Sequence, residues 1–237
     1  MRCLPLVLLL LLGACGGSGD ERKVKAAEAW AAVKGDYDAR NALILAALKE
    51  APDKLAGALE PVALPDGPKP KFETHKVSGH DKTANARIVV LDADDSASAK
   101  LLALLVDKRW RADMDKNAAS EGGTTEGGLK ADLEQYLAVR YLCVVMTADY
   151  TAPKITDTML SSVKFEAGQW TGSAALYDLT TGKLLGGASM TARNSESVKF
   201  KTEGIDADEQ RRLGQVALEA DLREQVLALL KTTCQAE

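Results

Sequence analysis

Two histidines, His75 and His80, are the only side chains here whose ordinary titration falls near neutral pH. They lie in the polar run Thr74-His75-Lys76-Val77-Ser78-Gly79-His80-Asp81, five residues apart. Paired metal ligands on a helix stand four apart, and His-Glu-x-x-His is absent, so solvated loop histidines explain the pair better than a zinc site completed by Asp81. Ser161-Ser162-Val163-Lys164 satisfies Ser-x-x-Lys, where an amine one helical turn away activates a serine. The motif is about to enter a strand, and no downstream Lys-Thr-Gly supports it, Lys201-Thr202-Glu203 being the nearest approach. Asp92, Asp94 and Asp95 cluster three carboxylates that a hard cation favours. The glycine and terminal glutamate of a calcium loop are missing, and helix capping accounts for the same residues. No nucleophile elbow, P-loop or dinucleotide fingerprint occurs, so neither a catalytic residue, a metal site nor a cofactor is expected.

Cysteine is the more informative residue. Of four cysteines, Cys3 and Cys15 lie at the N-terminus, leaving Cys143 and Cys234 in the body. In an oxidising compartment those two can form one disulfide; otherwise Cys143 is an inert core thiol and Cys234 a loose one near the C-terminus.

The N-terminus explains the compartment. Arg2 precedes an apolar run from Leu4 to Leu12, followed by small residues, which are the parts of a secretory signal. Nine residues at about 1.5 Å each cover roughly half a bilayer core, too little for a span. Leu12-Gly13-Ala14-Cys15 resembles the lipobox of bacterial lipoproteins. That resemblance implies cleavage before Cys15, a diacylglyceryl group on its thiol and acylation of the new amine with fatty acids such as palmitate. At about 0.8 kcal/mol per buried methylene, two or more chains anchor a protein permanently where one does not. Gly16 after Cys15, in place of Asp, resembles the enterobacterial sorting pattern that implies transfer to the outer membrane, facing the periplasm.

Composition agrees with a globular body behind that anchor. The 237 residues are 46% hydrophobic and 27% charged, with a formal charge of −4. These values exclude a disordered tail, a fibre and a polytopic membrane protein, and the acidic balance argues against a nucleic-acid partner. Aromatics make up only 5%, so Leu, Val and Ala must build the core.

The expected organisation is a signal peptide over 1–14, a lipidated tether over 15–20, an N-terminal helical segment over 21–64, a Pro-rich linker over 65–72 and an α+β domain over 73–237. Trp30, Val33, Tyr37, Ile44 and Leu48 form one apolar helical stripe. Gly35 is expected to bend or split that helix, and Pro52-Asp53 to start a second piece that Pro61 ends. Three prolines between Pro65 and Pro70 predict an extended stretch. Arg87–Leu91 is a short β-branched strand. A helix capped by Asp94 or Asp95 should reach about Lys116, and Asn117–Gly128 should be a surface loop. After a further helix, Tyr141–Met146 is apolar on both alternations, as a strand covered on both faces must be. Gln169–Tyr177 and Lys183–Met190 flank Asp178-Leu179-Thr180-Thr181-Gly182, a bulged hairpin turn. Ser197–Lys201 is a candidate edge strand, and Asp206 with Glu209 forms the capping box of a last helix running to about Leu230. The sum is an α+β fold: a small, mostly antiparallel sheet with a long hairpin, flanked by helices and preceded by a helical segment.

Residues 139–195 also resemble a segment of uncharacterised lipoproteins from soil-dwelling proteobacteria, a group with no known activity. A helix-flanked sheet with a long hairpin is similar, at fold level, to envelope lipoproteins that assist secretion or cell-wall synthases. Together these imply a non-catalytic envelope lipoprotein, held to the membrane through lipid on Cys15, whose domain binds or scaffolds an envelope protein, a glycan or a small ligand. The alternative is an envelope hydrolase with an acidic active site. Replacing Cys15 by Ala should release the protein from membranes or leave an uncut precursor. Membrane fractionation with intact mass measurement checks this, and a membrane-bound Cys15→Ala chain of mature mass would contradict it.

Overall fold

The computed structural model describes residues 17–72, 84–92, 96–106, 109–119, 126–159, 162–200 and 206–237. The signal peptide, the lipobox with Cys15, both histidines, Asp81, Asp94, Asp95 and Ser161 lie outside the described residues.

The fold is α+β. Four strands, β1 (Ala86–Val90), β2 (Tyr141–Thr151), β5 (Gln169–Asp178) and β6 (Lys183–Arg193), form a sheet in the order β1-β2-β5-β6. β1 runs parallel to β2, and the other neighbours are antiparallel. A separate hairpin, β3 (Lys154–Met159) with β4 (Ser162–Glu166), was not expected from the sequence.

β2 is the central strand its composition predicts. Tyr141 to Val145 are each 0% exposed. Leu142 and Val144 point into one apolar cluster with Ala175 and Tyr177. Tyr141, Cys143 and Val145 point into another with Trp170, Ala174 and Leu176. Helices α1 (Gly17–Ala56), α3 (Arg109–Ala119) and α4 (Glu126–Ala138) cover the first face, and α5 (Ala207–Thr233) with the short α2 (Ala97–Leu102) covers the second.

α1 corrects two expectations. It is one helix of 40 residues, not two pieces divided at Gly35 or restarted at Pro52. Gly35 faces open space, so it costs only helix propensity. Pro52 removes one bond in the last turn, but Ala51 and Leu55 on either side are buried at 0% and 3% exposure and hold that turn to the core. Arg40 ties α1 to the end of α4, donating to the carbonyls of Val139 at 2.6 Å and Leu137 at 3.4 Å.

The helix expected to reach Lys116 is broken. Ser96 caps α2, its Oγ accepting from the Ala99 amide at 3.0 Å, and a 3₁₀ turn follows over Ala103–Leu105 before α3 begins. The reason lies in packing: Leu101 and Leu102 are buried on the α5 face, whereas Trp110 and Met114 are buried on the α1 face. A straight helix cannot serve both. The loop expected over Asn117–Gly128 is also shorter, because Asn117–Ala119 finish α3 and Glu126–Gly128 begin α4, with 120–125 outside the described residues.

The long hairpin forms as expected. Asp178 accepts from the Thr180 amide at 2.8 Å and hydroxyl at 2.5 Å, and from Arg140 at 3.2 Å, while Gly182 takes φ 71° to close the turn. Burial raises the Asp178 carboxyl, but these donors more than offset it and leave it below its usual range. No edge strand forms over residues 197–200. Asp221 of α5 captures the chain instead, accepting from Asn194 Nδ2, the Ser195 amide and the Ser195 hydroxyl at 2.7–2.9 Å. Half of the capping box forms: Asp206 Oδ1 accepts from the Glu209 amide at 2.8 Å, while the Glu209 carboxylate accepts from Arg212 at 2.6 and 2.7 Å, and α5 continues to Thr233.

Residues 57–72 run extended against the sheet. The Gly187 amide donates to Glu60 at 2.8 Å and the Ala63 amide to Leu185 at 2.9 Å, so this segment covers the β6 edge. Glycine is required on both sides of β6 here: a Cβ on Gly186 would stand 2.6 Å from the Glu60 carbonyl oxygen of this segment, and one on Gly187 2.1 Å from the Ala174 carbonyl oxygen of β5. Two substitutions of one kind should therefore act oppositely. Gly187→Ala should lose about 3 kcal/mol or more, and Gly35→Ala should gain about 0.5–1 kcal/mol, in chemical denaturation.

Candidate functional site

Ligands of open sheets with parallel strands collect beyond the carboxyl ends of those strands, where the crossover leaves a crevice. Here β1 and β2 supply that pair. Beyond Val90 the chain reaches Asp92, whose Oδ1 accepts from the Thr147 amide at 2.8 Å, where the β2–β5 register shifts between Thr147 and Asp149. Asp92 Oδ2 is buried, with no partner among the described residues.

Two hollows meet at Asp92. One, of about 400 Å³, lies between α1, β1, the α2 region and α3, with Ile44, Leu48, Val89, Val90, Val106 and Trp110 among its apolar walls. The other, of about 450 Å³, is shallower and includes Ser96, Ser98, Met146, Thr147 and Tyr150. A third depression, of about 790 Å³, is an open trough between β3–β4 and residues 193–196.

The polar groups of the first hollow are partly engaged. Asp115 accepts from the Tyr37 hydroxyl at 2.7 Å and from Arg111 Nε at 2.9 Å, and Arg111 also donates to Asn41 Oδ1 at 3.0 Å. Behind them, rings pack in series from Trp30 to Tyr37, Tyr136 and Trp110, with centroids 5.4–5.6 Å apart, the last pair stacked and the others tilted. This cluster gives the hollow a rigid floor. Asp92 and Lys100 remain to meet a ligand. The arrangement suits an apolar group carrying one hydrogen-bond donor.

Among the described residues, Asp92 is the one candidate for chemistry named from the sequence that lines this hollow, and Ile44 and Leu48 of the apolar stripe line it too. Lys164 lies on β4 beside the open trough, in a strand and not on the helical turn that Ser-x-x-Lys requires. Cys143 and Cys234 are brought together with their sulfurs 3.6 Å apart, and Cys234 is fully buried where a loose thiol was an open alternative. The polar contact of Tyr37 with the Asp115–Arg111 pair has no signal in the sequence. Tyr37 sits in a stripe that reads as core, and its partner is 78 residues away. Among the described residues no three His, Cys, Asp or Glu side chains converge as metal ligands, and no helix is long and apolar enough to cross a membrane.

The chain matches no protein-family profile and no curated protein. Solved structures similar to it include lipoprotein GNA1162 from Neisseria meningitidis, at 14% identity and a TM-score of 0.23, covering 62% of this chain and 92% of that one. The hypothetical protein CT253 from Chlamydia trachomatis is similar at 11% identity and a TM-score of 0.26, covering 63% of this chain and 96% of that one. Likeness at this level transfers no function.

All five tyrosines are held above their ordinary pKa, with burial the largest cause in each case. For Tyr37, burial and then the Asp115 hydrogen bond push it up to about 12. A raised folded pKa favours the protonated folded form. That stability is complete below about pH 10, where unfolded tyrosine titrates, and is lost as pH climbs toward the folded values. Tyrosinate absorbance should therefore stay flat past about pH 10 and then rise together with unfolding. A smooth titration near the ordinary value with the fold intact would contradict the packing described.

Proposed function

We propose that this chain is a lipid-anchored protein of the cell envelope, attached through Cys15 to the outer membrane and facing the periplasm, whose α+β domain binds a partner without catalysing a reaction. The observation that carries the binding reading is the hollow of about 400 Å³ beside Asp92, apolar in most of its wall and backed by stacked aromatic rings. The lipobox motif supports the address. The apolar wall favours a segment of a partner protein over a glycan, with an apolar side chain seated against Leu48 and Trp110 and a donor reaching Asp92.

One observation favours a second reading, an envelope hydrolase: Asp92 and Asp115 line the same hollow, and paired carboxylates are the raw material of acid–base hydrolysis. Against it, both oxygens of Asp115 already accept from Tyr37 and Arg111.

A photo-cross-linking side chain at Leu48 should give one discrete adduct in native membranes. Ala103→Trp, which fills the hollow, should abolish that adduct while the far-UV spectrum is unchanged. An equal yield of the same adduct from Val216, an exposed position on α5 in the opposite layer, would contradict binding here. Hydrolysis of peptidoglycan or ester substrates that Asp92→Asn abolishes would establish the second reading.

A further inference from the structure

Two cysteines separated by 91 positions meet in the interior. Cys143 lies on β2 with its side chain toward α5, and Cys234 caps the C-terminal end of α5. Both are 0% exposed, and their sulfurs are 3.6 Å apart.

The last residues hold Cys234 in place. Its amide donates to Leu230 at 2.9 Å, the Gln235 amide to Thr232 at 3.2 Å and the Ala236 amide to Lys231 at 2.8 Å, the pattern of a Schellman cap. Gln235 adopts φ 52°, a left-handed conformation that glycine normally supplies. Outside contacts offset that strain: Gln235 Nε2 donates to the Val62 carbonyl at 2.5 Å, and the Glu237 amide donates to Pro70 at 3.0 Å. The C-terminus is thus pinned to the segment that covers the sheet edge.

We propose that Cys143 and Cys234 are oxidised to a disulfide that bolts the C-terminal helix to the central strand. The proposal rests on the reading of the chain as exported, because an oxidising compartment is where such bonds persist. The sulfurs must approach from 3.6 Å to about 2.05 Å for the bond to form. The oxidant is a disulfide of the exchanging class, R–S–S–R, carried by an envelope thiol oxidase or by a small thiol. One cysteine thiolate attacks it, forming a mixed disulfide and releasing R–S⁻. The second thiolate then attacks the cysteine sulfur of that mixed disulfide, closing the bond and releasing a second R–S⁻. The two thiol protons pass to the leaving thiolates, and the two electrons reduce R–S–S–R.

Order of events follows from burial. In the closed fold neither sulfur is reachable, and the hydrogen bond to Cys234 together with burial keeps Cys143 protonated. Exchange therefore takes place during folding, before α5 docks. Metal ligation is not needed to explain the pair, which is two thiols and nothing else among the described residues.

The test uses the full chain made in a host that exports it, quenched in acid and alkylated under denaturing conditions. Expected are no alkyl groups on Cys143 or Cys234, a non-reduced peptide joining the two, and a mass lower by two hydrogens than the reduced form. The chain reduced in denaturant and refolded should melt about 5–15 °C lower than the oxidised chain, the shift a loop of this length implies. Cys234→Ala should melt like the reduced chain and ignore reductant. Cys143→Ala should repeat that result. Alkylation of both cysteines in chain that carries its lipid and fractionates with membranes would overturn the disulfide while leaving export intact. Should the chain stay uncut in the cytosol, export fails by itself. The disulfide is then judged by refolding reduced chain in mixed oxidised and reduced glutathione: an internal bridge upholds it, and glutathione adducts or free thiols overturn it.

Discussion

A strand with no exposed surface on five consecutive residues needs cover on both faces, and β2 imposes that demand on everything else in the molecule. Each large side chain from Tyr141 to Val145 contributes roughly 2 kcal/mol when it leaves water. Leu142 and Val144 gain it from the first helical layer, and Tyr141, Cys143 and Val145 only when the second is in place. The first layer is recruited from before β2, as α1, α3 and α4, and the second mainly from after it, as α5. The chain therefore cannot finish its core until its last helix is made, and the cysteine pair lies at that final contact.

The same demand creates the hollow. β1 joins β2 in parallel, so the intervening chain must travel back along the sheet, and its apolar residues go to opposite faces at α2 and α3. The break between those helices leaves space beyond Val90, floored by Trp110 and walled by α1. Asp92 stands where that space opens, one oxygen fixed by the Thr147 amide and the other unpartnered among the described residues. A binding reading follows from geometry that packing had already set.

Local signals were legible in the sequence wherever chemistry within a few residues settles the structure. The Asp178–Gly182 turn, the Asp206 cap and the apolar run of β2 are of that kind. What escaped was decided at a distance. Residues 94–116 carry helical periodicity throughout, and only the two-sided sheet reveals why one helix becomes two. The β3–β4 hairpin has no glycine or asparagine at Met159-Leu160-Ser161-Ser162 to announce a turn. Ser197–Lys201 looked extended, but Asp221 claims Asn194 and Ser195 first. Of the candidate site, Asp92 was visible as one of a carboxylate cluster, and Ile44 and Leu48 as part of the α1 stripe. The Tyr37–Asp115 contact joins elements that no local pattern relates.

Because both layers close on it, β2 is the last element to open. Native-state amide hydrogen exchange measures this residue by residue. The amides of Leu142 to Val145 should exchange only through global unfolding, with an opening free energy equal to that from chemical denaturation. Exchange at those amides faster than at the centres of α5 or β6 would contradict the account.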